Sequence, residues 1–205
     1  MVESLMDVND SDSVIPIGTY EGKMYFMHNK DDLGDNETRA IAYMDGDKLV
    51  DVLELKKELL SNAVIIDEKL YYAIYSEGKD KFDLYSYSFN DGEIKKLSQI
   101  DSDYIYRYKN ELLYIDDNKE LVNLENKKYY KLKDNSDIDV LSDYDLMIQS
   151  YISEDNDIAC DLINLNDGSV LETVNKFDGY NINDDVLTLY CEGSIKNLEI
   201  DKWKR

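Results

Sequence analysis

The sequence predicts an all-β protein made of repeated four-stranded antiparallel sheets, arranged as a five-bladed ring. Three observations carry that expectation. Aromatic and small residues alternate with a period of two, polar turns break the apolar runs roughly every ten residues, and equivalent strands recur at a nearly constant spacing.

The pattern is plainest over residues 62–99. Tyr85, Tyr87 and Phe89 alternate with Leu84, Ser86 and Ser88, which puts the aromatics on one face of an extended strand. Leu70, Tyr71, Tyr72, Ala73, Ile74 and Tyr75 form a nearly continuous apolar run, as in a strand covered on both faces. Asn90-Asp91-Gly92 supplies residues that tolerate positive φ for a hairpin into 94–97. So many β-branched and aromatic residues, broken so often, would make a poor helix.

Taken in order, the first repeat has strands at 14–20, 24–29, 38–44 and 49–53. The last of these is expected to run into an α-turn or short helix. Leu53, Leu55, Leu59 and Leu60 among Glu54, Lys56, Lys57 and Glu58 keep an amphipathic helix over 50–60 as the alternative. The second repeat follows with 62–66, 70–75, 82–89 and 94–97, and the third with 104–108, 112–115, 120–124 and 129–132. The fourth has 138–141, 146–152, 158–165 and 170–174; the fifth has 180–182, 186–191 and 194–198.

A polar triplet precedes the second strand each time: Glu21-Gly22-Lys23, Asp67-Glu68-Lys69, Lys109-Asn110-Glu111, Asp143-Tyr144-Asp145 and Asn183-Asp184-Asp185. The second strands begin at Met24, Leu70, Leu112, Leu146 and Val186, which lie 46, 42, 34 and 40 residues apart, a propeller-like period. Asp45-Gly46, Asp91-Gly92 and Asp167-Gly168 close three of the hairpins between third and fourth strands, and Glu125-Asn126 closes another.

The succession of a KLYY-type strand, an LYSYSFNDG-type strand and an IKKL-type strand resembles β-propeller repeats of the TolB-like and YWTD-like kind. It is most similar to the propeller repeats of clostridial and related bacterial proteins, although the YWTD tetrapeptide itself occurs in no unit. The resemblance implies a fold and transfers no ligand or catalytic residue. The expected domain is a single propeller over 1–205, with blades at about 13–55, 61–99, 102–133, 137–175 and 178–205. Because the fifth blade is short of a strand, Ser4-Leu5-Met6-Asp7-Val8 is expected to complete it beside 194–198 and close the ring. In the alternative, 203–205 begins a strand of a larger propeller.

Composition narrows the function. The chain has 205 residues, one proline, nine glycines and 43% hydrophobic residues, which suits a globular protein with a substantial core. It carries 45 acidic residues against 23 basic, a net charge of −22. Such a chain repels phosphate backbones and anionic bilayers, so no nucleic acid is expected as a partner. No apolar run reaches the ~20 residues of a membrane span. No basic region followed by an apolar core opens the chain. A cytoplasmic location is expected if Met1 is native, and an extracellular or envelope one if the chain is a fragment lacking its export segment.

The acids serve either as a solvated surface or as an attraction for cations and basic partners. In a propeller the loops between blades and those between second and third strands share one face. That face would carry Asp31, Asp32, Asp35, Glu37, Asp103, Asp137, Glu154, Asp155, Asp157 and Asp178, the candidate ligand- or cation-binding residues. Residues 31–37 and 154–157 are the best loops for calcium, though neither follows the EF-hand register. No other cofactor or metal is expected.

Cys160 and Cys191 match no metal-ligand spacing and read as small hydrophobes in strands. The single histidine, His28, is expected at a surface or turn, without the partners that zinc or Ser-His-Asp chemistry requires. The leading expectation is a non-enzymatic binding or scaffolding propeller that presents an acidic loop face to a protein, peptide or cationic ligand. The alternative is a carboxylate-based glycoside hydrolase, with Asp103, Asp137 and Asp178 near the inner-strand starts as candidate acid and nucleophile or base. Tyr104, Tyr144 and Tyr180 are candidate recognition aromatics for which core packing is the plainer role.

Overall fold

A computed structural model describes residues 13–30, 38–56, 60–76 and 78–200. The chain divides into two compact units, Met1–Ile105 and Tyr106–Arg205. In the first unit β1 (Ser13–Tyr20), β2 (Lys23–Lys30), β3 (Thr38–Asp45) and β4 (Lys48–Lys56) form one sheet in chain order. A second sheet follows from β5 (Leu60–Ile66), β6 (Lys69–Ser76), β7 (Lys81–Ser88) and β8 (Ile94–Ile100).

At the start of the second unit come β9 (Ile105–Tyr108), β10 (Glu111–Ile115), β11 (Glu120–Asn123) and β12 (Lys128–Lys131). The fourth sheet is β13 (Ser136–Leu141), β14 (Leu146–Ile152), β15 (Ile158–Asn164) and β16 (Val170–Asn175). The fifth is β17 (Phe177–Asn183), β18 (Val186–Cys191) and β19 (Ser194–Glu199). Each sheet is thus a simple antiparallel meander, the product of short strands joined by tight turns.

The turns refine the sequence reading. Tyr20 pairs with Lys23, Ile66 with Lys69 and Asn183 with Val186, so these hairpins close over two residues rather than three. Glu21, Asp67 and Asp184, the first residue of each loop, have φ of 47°, 51° and 51°. The fourth sheet differs: a 3₁₀ turn over Ser142–Tyr144 ends on a left-handed Asp145. Left-handed backbone also closes the hairpins into fourth strands, at Gly46, Gly92, Asn126 and Gly168. Asn90 and Asp91 do not adopt it. Asp91 instead accepts the Glu93 N–H at 3.0 Å, an Asx turn. Because a non-glycine residue is strained in this region, Asp184→Gly is expected to raise stability by about 0.5–1 kcal/mol in urea denaturation.

One hydrogen bond recurs in three sheets. The N–H groups of Phe89, Leu165 and Ile200 donate to the carbonyls of Glu68, Asp145 and Asp185 at 3.0, 2.8 and 2.8 Å. Each ties the end of a third strand to the turn between the first two, so Ile200 holds the place of Phe89 and Leu165. It therefore marks where the other sheets turn into their fourth strand. The run at 4–8 expected to complete the fifth sheet, and residues 203–205, lie outside the described residues. So do residues 57–59 of the expected short helix; the residues before them, Lys48–Lys56, are strand.

The core sits between successive sheets within each unit. In the first, Tyr25, Met27 and Ile41 pack against Ala63, Leu70 and Tyr72. In the second, Met147 and Ile163 face Leu113 and Leu121 of the third sheet, while Leu146, Ile148 and Leu162 face Leu187 and Leu189 of the fifth. Alternation places consecutive residues on opposite faces, and both faces are covered, which is why β14 and β15 are largely apolar, with Gln149 and Asp161 the buried polar exceptions. Cys160 lies in this core, and burial pushes its thiol up to about 12. His28 is also buried, contrary to the surface position expected. β2 continues past it, and its Nδ1 faces the Asp51 carboxylate at 3.5 Å.

Candidate functional site: the loop end of the sheets

A meander of four strands sends its second-to-third loop and its links to neighbouring sheets to the same end. Ion pairs show these loops meeting. In the first unit Lys81, at the start of β7, lies 3.0 Å from Asp101 in the link after β8. Across the second unit Lys119 of the β10–β11 loop pairs with Asp134 of the β12–β13 link, and Lys176 of the β16–β17 link pairs with Glu192 of the β18–β19 loop, each at 2.5 Å. The Glu192 bond, then its charge and that of Asp157, hold the Lys176 pKa above its ordinary value.

The candidate carboxylates separate into distinct groups. Asp31, Asp32, Asp35 and Glu37 lie outside the described residues. Asp103 is half-buried and accepts a short hydrogen bond from the Ser61 hydroxyl. Asp137 is exposed on β13, opposite Ser150. Asp178 is exposed where β17 bulges between Phe177 and Gly179, and no hydrogen bond or ion pair joins it to Asp137. Glu154, Asp155 and Asp157 share the β14–β15 turn. That turn is closed by the Ser153 N–H on the Asp157 carbonyl (2.8 Å) and the Asn156 N–H on the Ser153 carbonyl (3.0 Å). Among the described residues no group of three or more His, Cys, Asp or Glu side chains is gathered as a metal site.

Other acids at this end are engaged by their own turns. Asp116 accepts the N–H groups of Asn118 and Glu120, both at 2.9 Å. Burial acts to raise the Asp116 pKa, but the Glu120 and Asn118 hydrogen bonds outweigh it and leave the group below the usual carboxylate range. Of the tyrosines, Tyr104 is exposed. Tyr144 donates to the Asp184 carbonyl at 3.0 Å. Tyr180 packs into the core, where burial and then Asp139 push its pKa to about 12.

Sequence reasoning missed a buried polar network inside the fourth sheet. Asp161 on β15 is 2% exposed and takes Lys133 Nζ at 2.6 Å, the Thr173 hydroxyl at 2.8 Å and the Tyr151 hydroxyl at 3.1 Å. Beside it across the ladder is the fully buried Gln149, whose Nε2 donates to the Ser136 hydroxyl at 2.8 Å. A carboxylate inside the run Ile158–Asn164 was the available signal, because a charge amid inward-facing residues requires partners.

The fold owes part of its stability to the ionised form of several carboxylates. The Tyr129 hydroxyl, at 2.6 Å, and the Asn123 amide, at 2.7 Å, hold the Glu111 pKa below its ordinary value. Lys119 does the same for Asp134. A pKa depressed by folding contributes stability above the unfolded value, and that contribution is lost as pH falls through the folded value. The melting temperature is therefore expected to fall as pH drops below roughly 4, and less steeply in Glu111→Gln, as scanning calorimetry across pH would record.

No protein-family model and no curated protein matches the chain. Among solved structures it is similar to the β-propeller domain of the Trilobed protease from Pyrococcus furiosus, described as having an open velcro topology. The TM-score is 0.55 at 11% identity, over 91% of this chain and 81% of that one. A hypothetical protein from Leishmania major aligns at a TM-score of 0.41 and 12% identity, over 92% of this chain and 84% of that one, too low to carry an argument. The first likeness, with the antiparallel four-stranded sheets, shows a β-propeller fold.

Proposed function

We propose that this chain is a non-enzymatic binding or scaffolding propeller whose loop end, acidic by composition, receives a cationic partner, a basic stretch of protein or peptide. One observation supports this reading most. In the second unit Lys119, Lys133 and Lys176 are each engaged by a carboxylate, while Glu154 and Asp155 enter no ion pair among the described residues. An end so arranged attracts basic chains and repels acidic ones. Fluorescence anisotropy with a labelled oligolysine peptide tests the proposal. Binding that weakens steeply with added salt, and further in Glu154→Lys/Asp155→Lys, is expected. No binding at low salt would refute it.

The same reading extends to closure: residues 4–8 add the fourth strand beside β19. The edge of β19 supports it: among the described residues no strand pairs with it beyond β18, and an open edge exposes backbone groups that seek a partner. Deleting residues 1–9 is then expected to lower the melting temperature by several degrees. An unchanged melting temperature would instead favour an open ring, like the open velcro topology described for the Pyrococcus furiosus domain.

A further inference from the structure

Two hairpins at the loop end of the second unit carry apolar pairs where turns meet solvent. Ile152 and Ile158 face one another across the last rung of β14 and β15, at 62% and 54% exposure. Tyr190 and Ile195 face one another one rung before the last of β18 and β19, which is Cys191 opposite Ser194, at 38% and 66% exposure. Exposed apolar residues scattered singly are ordinary, but cross-strand pairs at the tips of two neighbouring sheets are not. Each pair adjoins acid: Glu154, Asp155 and Asp157 in one turn, and in the other Glu192, which already holds Lys176.

Direction matters as much as exposure. Ile152 follows Leu146 and Ile148 in alternation, so its pair stands on the side of the fourth sheet that faces the fifth. Leu187 and Leu189 point back toward the fourth sheet, so Tyr190 and Ile195 stand on the fifth sheet's far side. Both pairs are thus displaced the same way from their sheets, and lie about one intersheet spacing, roughly 10 Å, apart. Two turns of an α-helix cover nearly that distance, about 11 Å.

Resting on the proposed binding role, we infer that these two hairpin tips form the docking surface for a basic amphipathic helix of a partner protein. Apolar residues two turns apart contact the Ile152–Ile158 and Tyr190–Ile195 pairs, and lysines or arginines between them face the acidic turns. A second copy of this chain is the poorer occupant, because it would bring two acidic tips together in a molecule of net charge −22.

The test uses the full chain and two labelled peptides of equal length and charge. One is a lysine-rich helix with leucines seven residues apart on one face, the other an oligolysine-serine peptide. The amphipathic peptide should bind at least about tenfold more tightly. Ile152→Thr/Ile158→Thr should reduce it to the level of the other peptide at unchanged melting temperature, since threonine keeps the strand preference. Equal binding of both peptides, indifferent to these substitutions, would overturn the inference and leave the acidic-face reading intact. Binding of neither would overturn both. A dimer in sedimentation that the same substitutions disperse would overturn it in favour of self-association.

Discussion

Replacing Asp161 with alanine is expected to destabilise the protein by about 3 kcal/mol, among the largest effects of any single polar substitution. The carboxylate is almost fully buried and satisfies a lysine, a threonine and a tyrosine at once. Lys133→Met is expected to cost less, about 1–3 kcal/mol, because it leaves the buried carboxylate without its cation while the lysine itself is 42% exposed and the Thr173 and Tyr151 hydrogen bonds remain. It also removes the ammonium that lies 3.5 Å over the Tyr151 ring. Since the two residues act as one unit, the double variant should cost clearly less than the sum of the singles. For a unit of this size a loss of 3 kcal/mol corresponds to a melting temperature lower by roughly 10 °C or more. Additive effects, or single losses below about 0.5 kcal/mol, would show that the network contributes no net stability.

The network also has a topological role. Asp161 and Gln149 share the face of the fourth sheet that Met147 and Ile163 turn toward the third. Lys133 comes from the link between those two sheets. The ion pair between the buried Asp161 and the partly exposed Lys133 thus ties the link between the two sheets to the interior of the fourth.

Why the strands were legible and the network was not follows from the same alternation. Period-two patterning and turn residues locate some strands fully, as at 186–191, where expected and observed strands coincide, and miss other edges by three residues, as where β8, expected to end at 97, runs to Ile100. They do not reveal which side of a strand buried on both faces meets which neighbour. Nothing in the alternation therefore singles out Asp161 within the strand expected at 158–165, and His28 is expected at a surface or turn. The acidic loops posed a different difficulty. Sequence counts carboxylates but does not distinguish Asp116, held by its own turn, from Glu154, which enters no ion pair among the described residues. That distinction depends on backbone N–H groups two to four residues away, and on lysines brought in from other loops.

Gly168→Ala offers the second large effect, and Gly92→Ala supplies its control. Both glycines close the hairpin between third and fourth strands at φ of 72°, so alanine at either meets the same backbone penalty, about 1–2 kcal/mol. Their surroundings differ. A Cβ at Gly92 would meet nothing within 4 Å, whereas one at Gly168 would lie 2.9 Å from the Tyr129 carbonyl oxygen. That oxygen belongs to the backbone of β12, a strand of the adjacent sheet, and cannot rotate away as a side chain would. Relief requires the fourth-sheet hairpin to retreat from the third sheet, at a further cost of about 1–3 kcal/mol. Gly168→Ala is therefore expected to cost about 2–4 kcal/mol in total, measured by chemical denaturation. Equal losses at the two positions would mean that the hairpin and β12 separate without penalty, and that backbone conformation alone accounts for glycine at Gly168.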